Sequence, residues 1–507
     1  MIENLLLGLS TAFTPMNLLW CFIGVLLGTI IGLLPGMGSS TGVAILIPLT
    51  LTVEPVTALI MLAGIYYGAQ YGGTITSVLL STPGEAATVV TTLDGYQMAR
   101  RGRAGAALAI AAIGSFFAAI VSLLLLAGLA PPFAELALRF GPQENLAVMV
   151  LALVTMVAFS GQSRTRAAAM ATVGVLLACV GVDAGTGEAR YTFGNINLLS
   201  GIPYIEVVIG LFAVGEVLHQ IRVGMAKPIR AGFRDLMIRR QDVRDSAGAI
   251  GRGSLLGFAL GCLPGAGTTL ASFIAYGVEK RVSKNSKQFG RGAIQGVAAP
   301  ESANNAAANA NFIPTLTLGI PGGATTAVLL GALTVYGLQP GPLLFAEEPD
   351  LVWGLLVSFF IGNVILLVLN LPLAPVFAQL LRIPYGYLYP IILFTSFVGA
   401  YAIDNNFFSV WVVFVFGVIG YGMKRFDLPM APLVVGVVVG ALFEKALVQT
   451  SAIEDGNLLM IFTRPIAVTI LALAVLLMIG PALMRRARAL LGPTRPREDR
   501  EDEETHV

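Results

Sequence analysis

The sequence carries little charge for its length. Of its 507 residues only 12% are charged, whereas 56% are hydrophobic, and the mean hydropathy is +0.81. Soluble domains carry about a quarter charged residues, and half that fraction cannot cover the surface of a soluble protein of this size. This shortage excludes a soluble enzyme, a nucleic-acid-binding protein and a disordered chain, and it predicts a protein of the lipid bilayer.

Cysteine, histidine and enzyme motifs are also scarce or missing. The three cysteines (Cys21, Cys179, Cys262) lie unpaired in apolar runs, and there are only two histidines (His219, His506). HExxH, GxSxG and Walker A patterns do not occur. We therefore expect no catalytic site, metal or cofactor. Without an ATP-binding motif, any transport by this chain would be passive or coupled to an ion gradient.

Long apolar runs are what the sequence has in abundance. Because a spanning helix needs about 20 apolar residues, we predict an all-α polytopic membrane protein with about 12 transmembrane segments. The clearest segments are Leu18–Leu34, Ala58–Leu80, Ala104–Leu129, Asn145–Ser160, Ala167–Val182, Ile202–His219, Leu351–Leu371, Leu388–Ala402, Phe408–Gly422, Pro432–Leu447 and Ile466–Leu483. No cleavable signal peptide is expected, since Met1–Ser10 has no basic residue.

Most basic residues are concentrated in a few loops. The first 99 residues contain neither Lys nor Arg, and basic residues then cluster at 100–103, 222–252, 280–291 and 485–500. The positive-inside rule puts these loops, and the C-terminus, in the cytoplasm. We predict a first membrane repeat (1–221), a cytoplasmic basic linker (222–252), a second membrane repeat (253–484) and a disordered cytoplasmic tail (485–507).

Two motifs recur in the same order in both halves. LLGTIIGLLPGMG (Leu26–Gly38) and LLGFALGCLPGAG (Leu255–Gly267) are identical at eight of thirteen positions, and STPGEAAT (81–88) and GIPGGATT (319–326) follow them. This order indicates an internal duplication. Because the basic loop follows the second motif in the first half but precedes it in the second half, we expect inverted topology. The loops also predict re-entrant hairpins or broken helices at the LPGxG motifs.

These motifs have the composition of helix breaks that bind ions. Proline interrupts the helix, glycine lets the backbone turn, and the freed N–H groups of a helix start attract an anion. In transporters with inverted repeats, such breaks form the substrate and ion sites. The simpler alternative is that Pro and Gly only kink and pack ordinary membrane helices.

Asn304, Asn305, Asn309 and Asn311 form a polar cluster, with Glu301 and Ser302, in an otherwise apolar stretch. Asn305 and Asn309 share a helix face that could bind a carboxylate, although interhelical hydrogen bonds are the competing explanation. Among the acids within apolar segments, Glu85 directly follows a break and is our candidate for ion coupling or gating. Asp94 could equally be a helix cap.

The predicted site therefore has two parts and one coupling residue, Glu85. The substrate-binding residues are predicted to be Pro83, Gly84, Thr88, Asn304, Asn305, Asn309, Pro321, Gly322, Gly323, Thr325 and Thr326. The ion-binding residues are predicted to be Pro35, Gly36, Gly38, Ser39, Ser40, Pro264, Gly265, Gly267, Thr268 and Thr269.

Several long motifs resemble the large membrane subunit of the tripartite tricarboxylate transporter family. They include GLLPGMGSSTG at 32–42, YYGAQYGGTITSVLLSTPGEAAT at 66–88, GCLPGAGTT at 261–269 and the stretch APESANNAAANANFIPTLTLGIPGGATTAVLLGAL at 299–333. The resemblance covers roughly residues 15–480. It implies a bacterial inner-membrane secondary transporter with two partners, a periplasmic solute-binding protein and a small membrane subunit.

The resemblance further implies uptake of a tricarboxylate, dicarboxylate or related organic anion, driven by Na⁺ or H⁺. Two other classes stay open. A stand-alone organic-anion carrier or channel would transport without any partner. A structural membrane scaffold would not transport and would tolerate substitution at all four breaks.

Overall fold

A computed structural model describes residues 2–159, 163–183, 185–223, 238–380 and 385–490. Of these residues 81% are helical, which confirms the all-α membrane class. Within the described parts, the only sheet is an antiparallel pair, β1 (Gly181–Val182) and β2 (Ala189–Arg190).

The first half of the chain contains ten α-helices. They are α1 (Ile2–Ala12), α2 (Pro15–Gly32), α3 (Gly38–Thr50), α4 (Pro55–Leu80), α5 (Val89–Arg100), α6 (Ala104–Ala137), α7 (Pro142–Phe159), α8 (Arg164–Ala178), α9 (Tyr204–Val208) and α10 (Gly215–Val223). A π-helical turn (Ile209–Val214) joins α9 to α10, and short 3₁₀ helices lie at Ala86–Thr88 and Ile196–Leu198.

The described residues of the second half form eleven α-helices. They are α11 (Arg240–Gly261), α12 (Gly267–Val282), α13 (Gln295–Ala310), α14 (Phe312–Leu318), α15 (Ala324–Val335), α16 (Leu344–Glu347), α17 (Pro349–Leu380), α18 (Tyr385–Asp404), α19 (Phe407–Arg425), α20 (Met430–Ile453) and α21 (Pro465–Leu490). Short 3₁₀ helices lie at Ser286–Gln288 and Leu458–Thr463.

Eight helices in the described parts are long and apolar enough to cross a membrane. The spans are Pro15–Gly32, Ala104–Ala137, Pro142–Phe159, Tyr204–Ile221, Pro349–Ala374, Gly386–Asp404, Phe407–Arg425 and Met430–Ile453. Each corresponds to a predicted segment. The other three predicted segments fall on α4, α8 and α21, and the total of about 12 spans stays a prediction.

The four predicted breaks all interrupt helices. At each LPGxG motif both glycines have positive φ: 81° and 50° at Gly36 and Gly38, and 77° and 66° at Gly265 and Gly267. Glycine adopts this backbone conformation without the steric cost that a Cβ imposes. The motif therefore turns the chain from α2 into α3 and from α11 into α12.

Glycines also bring equivalent helix pairs into close contact. A Cβ at Gly28 or Gly32 of α2 would lie 2.4 or 2.1 Å from the carbonyl oxygens of Ile65 and Ala69 on α4. In the second half, a Cβ at Gly257 or Gly261 of α11 would lie 2.3 or 2.6 Å from the carbonyl oxygens of Ala303 and Ala307 on α13. The same packing thus occurs at corresponding positions of both halves.

Contacts between the halves also come in matched pairs. The long helix α6 of the first half packs against α13 of the second half. The long helix α17 of the second half packs against α4 of the first half. Likewise α8 packs against α20, while α19 packs against the α9–α10 segment. Helices α4 and α13 are buried along almost their whole length. The two central helices therefore lie at the interface of the halves.

The predicted linker and tail are only partly described. Residues 224–237 of the linker and 491–507 of the tail lie outside the described residues. Helix α11 begins at Arg240, inside the predicted linker, and α21 continues to Leu490. The division into four segments stays a prediction.

A small polar hairpin joins α8 to α9, and its first strand is the end of the predicted segment Ala167–Val182, since α8 already stops at Ala178. The N–H groups of Thr186 and Gly185 donate to the Asp183 carboxylate over 2.7 and 2.8 Å, and these bonds, with the nearby Arg190, lower the pKa of Asp183. Arg190 also pairs with Glu444. The hairpin is thereby attached to α20.

Candidate functional site

In each half, the LPGxG turn is hydrogen-bonded to the second break. The N–H groups of Gly36 and Gly38 donate to the carbonyl oxygens of Pro83 and Gly84 over 3.3 and 3.2 Å. In the second half, the N–H groups of Gly265 and Gly267 donate to the carbonyl oxygens of Pro321 and Gly322 over 3.2 and 3.0 Å. The predicted ion-binding and substrate-binding motifs of each half are therefore one structural unit.

Ser39 joins the two units. Its Oγ donates to Glu85 Oε1 over 2.6 Å and lies 2.7 Å from Thr325 Oγ1. Since the single hydroxyl proton of Ser39 is directed to Glu85, Thr325 is the donor in the second bond. The other carboxylate oxygen of Glu85 is buried and has no hydrogen-bond partner among the described residues. One serine thus links a break of the first half to a break of the second.

Two of the predicted substrate-binding threonines cap the helices after the breaks. Thr88 Oγ1 donates to the Glu85 carbonyl over 2.9 Å, and Thr326 Oγ1 donates to the Gly323 carbonyl over 3.1 Å. Each hydroxyl also accepts from the N–H of that same residue, over 3.4 and 3.0 Å. These bonds fix where each helix begins.

Four helix starts meet at this point. Helix α3 packs against α15, and α12 packs against the 3₁₀ helix Ala86–Thr88. A Cβ at Gly323 would lie 3.3 Å from the Cα of Gly267, the first residue of α12. The first turn of a helix leaves N–H groups without intrahelical partners and carries partial positive charge. Convergent helix starts of this kind suit an anion.

The asparagine cluster divides into two groups. Asn305 donates to Ser115 Oγ over 2.7 Å, and Asn309 donates to Ser122 Oγ over 2.7 Å. Tyr67 OH also donates to Asn309 Oδ1 over 2.5 Å. Asn305 and Asn309 therefore form hydrogen bonds that connect α13 to α6 and α4, which is the competing explanation given above. Their role in substrate binding stays a prediction.

The other asparagines keep buried polar atoms without partners. Neither amide atom of Asn304 is hydrogen-bonded among the described residues, and Asn311 Oδ1 is equally unpartnered. Asn311 lies against the second-half break, since a Cβ at Gly322 would be 2.7 Å from the Asn311 Cβ. Its Nδ2 donates to Tyr66 OH over 3.3 Å. The predicted site did not include Asn311, and the structure places its amide directly beside the Ile-Pro-Gly break.

The first LPGxG turn is bonded to Gln220, which in turn contacts an ion pair. Gln220 Nε2 donates to the Pro35 carbonyl and to Glu216 Oε1, both over 2.8 Å, and Glu216 pairs with Lys424. The second turn packs differently, because a Cβ at Gly265 would lie 3.1 Å from the Met156 Cβ. The predicted ion-binding role of both turns stays a prediction.

The turns also contain Ser40, Pro264, Thr268 and Thr269. These residues take no part in the hydrogen bonds of Ser39 with Glu85 and Thr325. Ser40 and Thr269 are half-buried, and the Thr268 carbonyl accepts from Ser272 Oγ over 3.2 Å. Asp94 binds the segment that precedes α13: its Oδ1 accepts from the N–H groups of Gly292 and Ala293 over 2.7 and 2.8 Å, and its Oδ2 accepts from Tyr276 OH over 2.9 Å.

Sequence reasoning assigned no role to Glu301. The structure buries it, with its carboxylate accepting from Thr91 Oγ1 over 2.5 Å and Thr74 Oγ1 over 2.7 Å. An acid between apolar residues was the only available signal, since the two threonines are distant in sequence.

Long apolar helices with matched internal breaks define a polytopic, all-helical membrane protein. A model of the tripartite tricarboxylate transporter TctA family matches residues 18–435, and the chain belongs to this family. It is therefore a component of a tripartite tricarboxylate transporter, a system that also requires partner proteins. No solved structure matches the chain.

Two relatives come from Agrobacterium vitis. The chain is 46% identical over 473 residues to an uncharacterized 52.8 kDa protein in the TAR-I ttuC′ 3′ region, which covers 93% of this chain and 94% of that protein. It is 46% identical over 223 residues to an uncharacterized protein in the TAR-II ttuC′ 3′ region, covering 44% of this chain and 92% of that protein.

Proposed function

We propose that this chain imports a carboxylate anion by ion-gradient-driven secondary transport. The observation that carries the proposal is the contact of Ser39 with Glu85 and Thr325, which joins breaks from the two halves where four helix starts meet. Convergent N–H groups and hydroxyls stabilise a carboxylate without a basic side chain. The anion would lie between the Thr-Pro-Gly and Ile-Pro-Gly breaks, beside Asn311, whose Nδ2 has a second N–H group to donate besides the one that bonds to Tyr66.

Glu85 supports coupling to a cation. Its carboxylate is adjacent to the proposed anion site, and two negative charges repel each other in a buried environment. A proton or Na⁺ that neutralises Glu85 would remove this repulsion and favour binding of the anion. This is the physical reason for assigning Glu85 the coupling role.

The matched contacts of the halves support inverted repeats. A two-fold relation gives paired contacts such as α6 with α13 and α17 with α4. Together with the basic loops, this favours about twelve spans and alternating access by movement of one unit against another. The family relationship supports a bacterial inner-membrane location, with a periplasmic solute-binding protein that delivers the anion and a small membrane subunit.

Uptake of labelled tricarboxylates and dicarboxylates into proteoliposomes tests the proposal. The binding protein, the small subunit and the Na⁺ or H⁺ gradient are each omitted in turn. We expect uptake of one carboxylate class that collapses without the binding protein or without the ion gradient. Full uptake by this chain alone would instead establish the alternative, a stand-alone organic-anion carrier. Absence of uptake under every condition would contradict both.

A further inference from the structure

A small polar cavity lies away from the helix breaks. Its volume is about 10 Å³, enough for one ion or one water molecule, and it is lined by residues of α4, α6, α13 and α17. The polar residues that line it are Tyr71, Thr74, Ser115, Glu301 and Asn370. The sequence analysis and the proposed anion site assign no function to it.

In the part of the chain that the structure describes, no positively charged side chain balances the carboxylate of Glu301. Glu301 is only 2% exposed. Among the described residues, no Lys, Arg or His lines the cavity, and none forms an ion pair with Glu301. A buried charge is costly unless it is paired. The two threonine hydroxyls solvate the carboxylate but leave its charge in place.

Other oxygen atoms with free lone pairs line the same cavity as this carboxylate. Asn370 is 4% exposed, its Nδ2 donates to the Leu366 carbonyl over 3.1 Å, and its Oδ1 is buried without a partner among the described residues. Ser115 Oγ accepts from Asn305, and Tyr71 OH donates to the Ala112 carbonyl. The protons of these groups are thus largely committed, and oxygen acceptors remain.

We infer that this cavity binds a monovalent cation of the size of Na⁺, held by the Glu301 carboxylate, Asn370 Oδ1 and the hydroxyl oxygens of Thr74 and Ser115. Hard cations take carboxylate, amide and hydroxyl oxygens as ligands. One carboxylate balances one positive charge, so a divalent ion would leave an excess of one positive charge in the cavity. A proton would satisfy one oxygen, whereas a cation contacts several.

The site is connected to the proposed anion site through the helices around the first break. Thr74 lies on α4 before this break and Thr91 lies on α5 after it, and both donate to Glu301 of the second half. The inference therefore rests on the proposed ion-driven transport and adds a second cation site to the coupling residue Glu85. Occupancy would fix the spacing of α4, α5 and α13.

Binding of ²²Na⁺ to the purified full chain tests this inference without any transport step. The ionic strength is held constant with choline chloride, and the Na⁺-dependent rise in Tm is measured in parallel. We expect Glu301→Gln to abolish both signals and Asn370→Ala to weaken Na⁺ affinity at least tenfold. If Glu301→Gln fails to fold, Thr74→Val replaces it as the test. This variant keeps the carboxylate and should also weaken the Na⁺ affinity.

Asn363→Ala is the matched control. Asn363 lies on the same helix, donates to the Phe359 carbonyl over 2.7 Å and also has an unpartnered Oδ1, but it does not line the cavity. It should keep the Na⁺ affinity of the unmodified chain. Equal losses in both asparagine variants, retention of Na⁺ binding in Glu301→Gln, or a Tm that responds to pH but not to Na⁺ would overturn the inference. Normal ²²Na⁺ binding with no carboxylate uptake would instead contradict only the proposed function.

Discussion

Ser39 shows how much of the site depends on single small side chains. A serine follows the second glycine of the turn, and its hydroxyl reaches both Glu85 and Thr325. Its side chain is 1% exposed. Only a short hydroxyl side chain could satisfy both partners in this confined position, so the residue is suited to binding rather than to filling space.

We expect Ser39→Ala to lower carboxylate uptake by roughly tenfold, because a hydrogen bond to a charged group contributes about 1.5–3 kcal/mol. Initial uptake rates in proteoliposomes containing the partner proteins measure the effect. Ser10 of α1 is exposed, and its hydroxyl donates to the Leu7 carbonyl of the same helix over 2.7 Å. Ser10→Ala should keep most of the uptake; equal losses in the two variants would show that the Ser39 contacts have no special role in transport.

For single residues, the sequence predicted which prolines and glycines break the helices, but not which side chains bind the polar residues of the site. Proline and glycine act through the backbone, so their positions alone indicated where helices stop. Asn305 and Glu301 act through side chains contributed by other helices, such as Ser115 and Thr91. Those partners are ordinary hydroxyl residues far away in the sequence, and no local pattern marks them.

Glycine determines how the helices pack within each half. Gly257 of α11 lies so close to α13 that a Cβ would be 2.3 Å from the Ala303 carbonyl oxygen and 2.6 Å from its Cα. Both atoms belong to the backbone and cannot move aside by a change of rotamer. Such contacts allow helix backbones to approach closely in membranes. The glycines that the two halves share therefore have a packing function.

Gly257→Ala should destabilise the protein by about 1–3 kcal/mol, since overpacking forces the two backbones apart. Thermal unfolding in detergent measures the change as a lower Tm. At Gly251, six residues earlier on α11, a Cβ would meet no atom within 4 Å. Gly251→Ala should leave Tm unchanged or raise it, because alanine favours the helix by up to about 1 kcal/mol. A lower Tm in both variants would point to a general effect of α11 rather than to this contact.

The arrangement of the whole molecule was only partly accessible from the sequence. The duplicated motifs predicted two related halves, and charge placement predicted their orientation. Which helix of one half packs against which helix of the other depends on tertiary contacts, as in α8 with α20. Apolar periodicity is also uninformative for α4 and α13, because these helices are buried on all sides.

Transport requires that the substrate reach its site from each side in turn, so the proposed site between the halves has to open. Ser39 Oγ and Thr325 Oγ1 are 2.7 Å apart and belong to different halves. In a chain whose three native cysteines are replaced, we expect the pair Ser39→Cys and Thr325→Cys to lose uptake on oxidation. A reductant should restore uptake to the level of the unoxidised double variant.

A cross-link within one half is the control. It shows whether uptake stops because the site is held closed or because oxidation harms the protein in general. Asn17 on α2 and Thr57 near the start of α4 are joined by a 2.6 Å side-chain hydrogen bond within the first half. The pair Asn17→Cys and Thr57→Cys should therefore transport in the oxidised state, because both helices would move as parts of one unit. If the oxidised Ser39 and Thr325 pair also transported freely, the two breaks would not separate during the cycle. The anion would then have to cross elsewhere, and the convergence of helix starts would be a packing feature rather than the transport site.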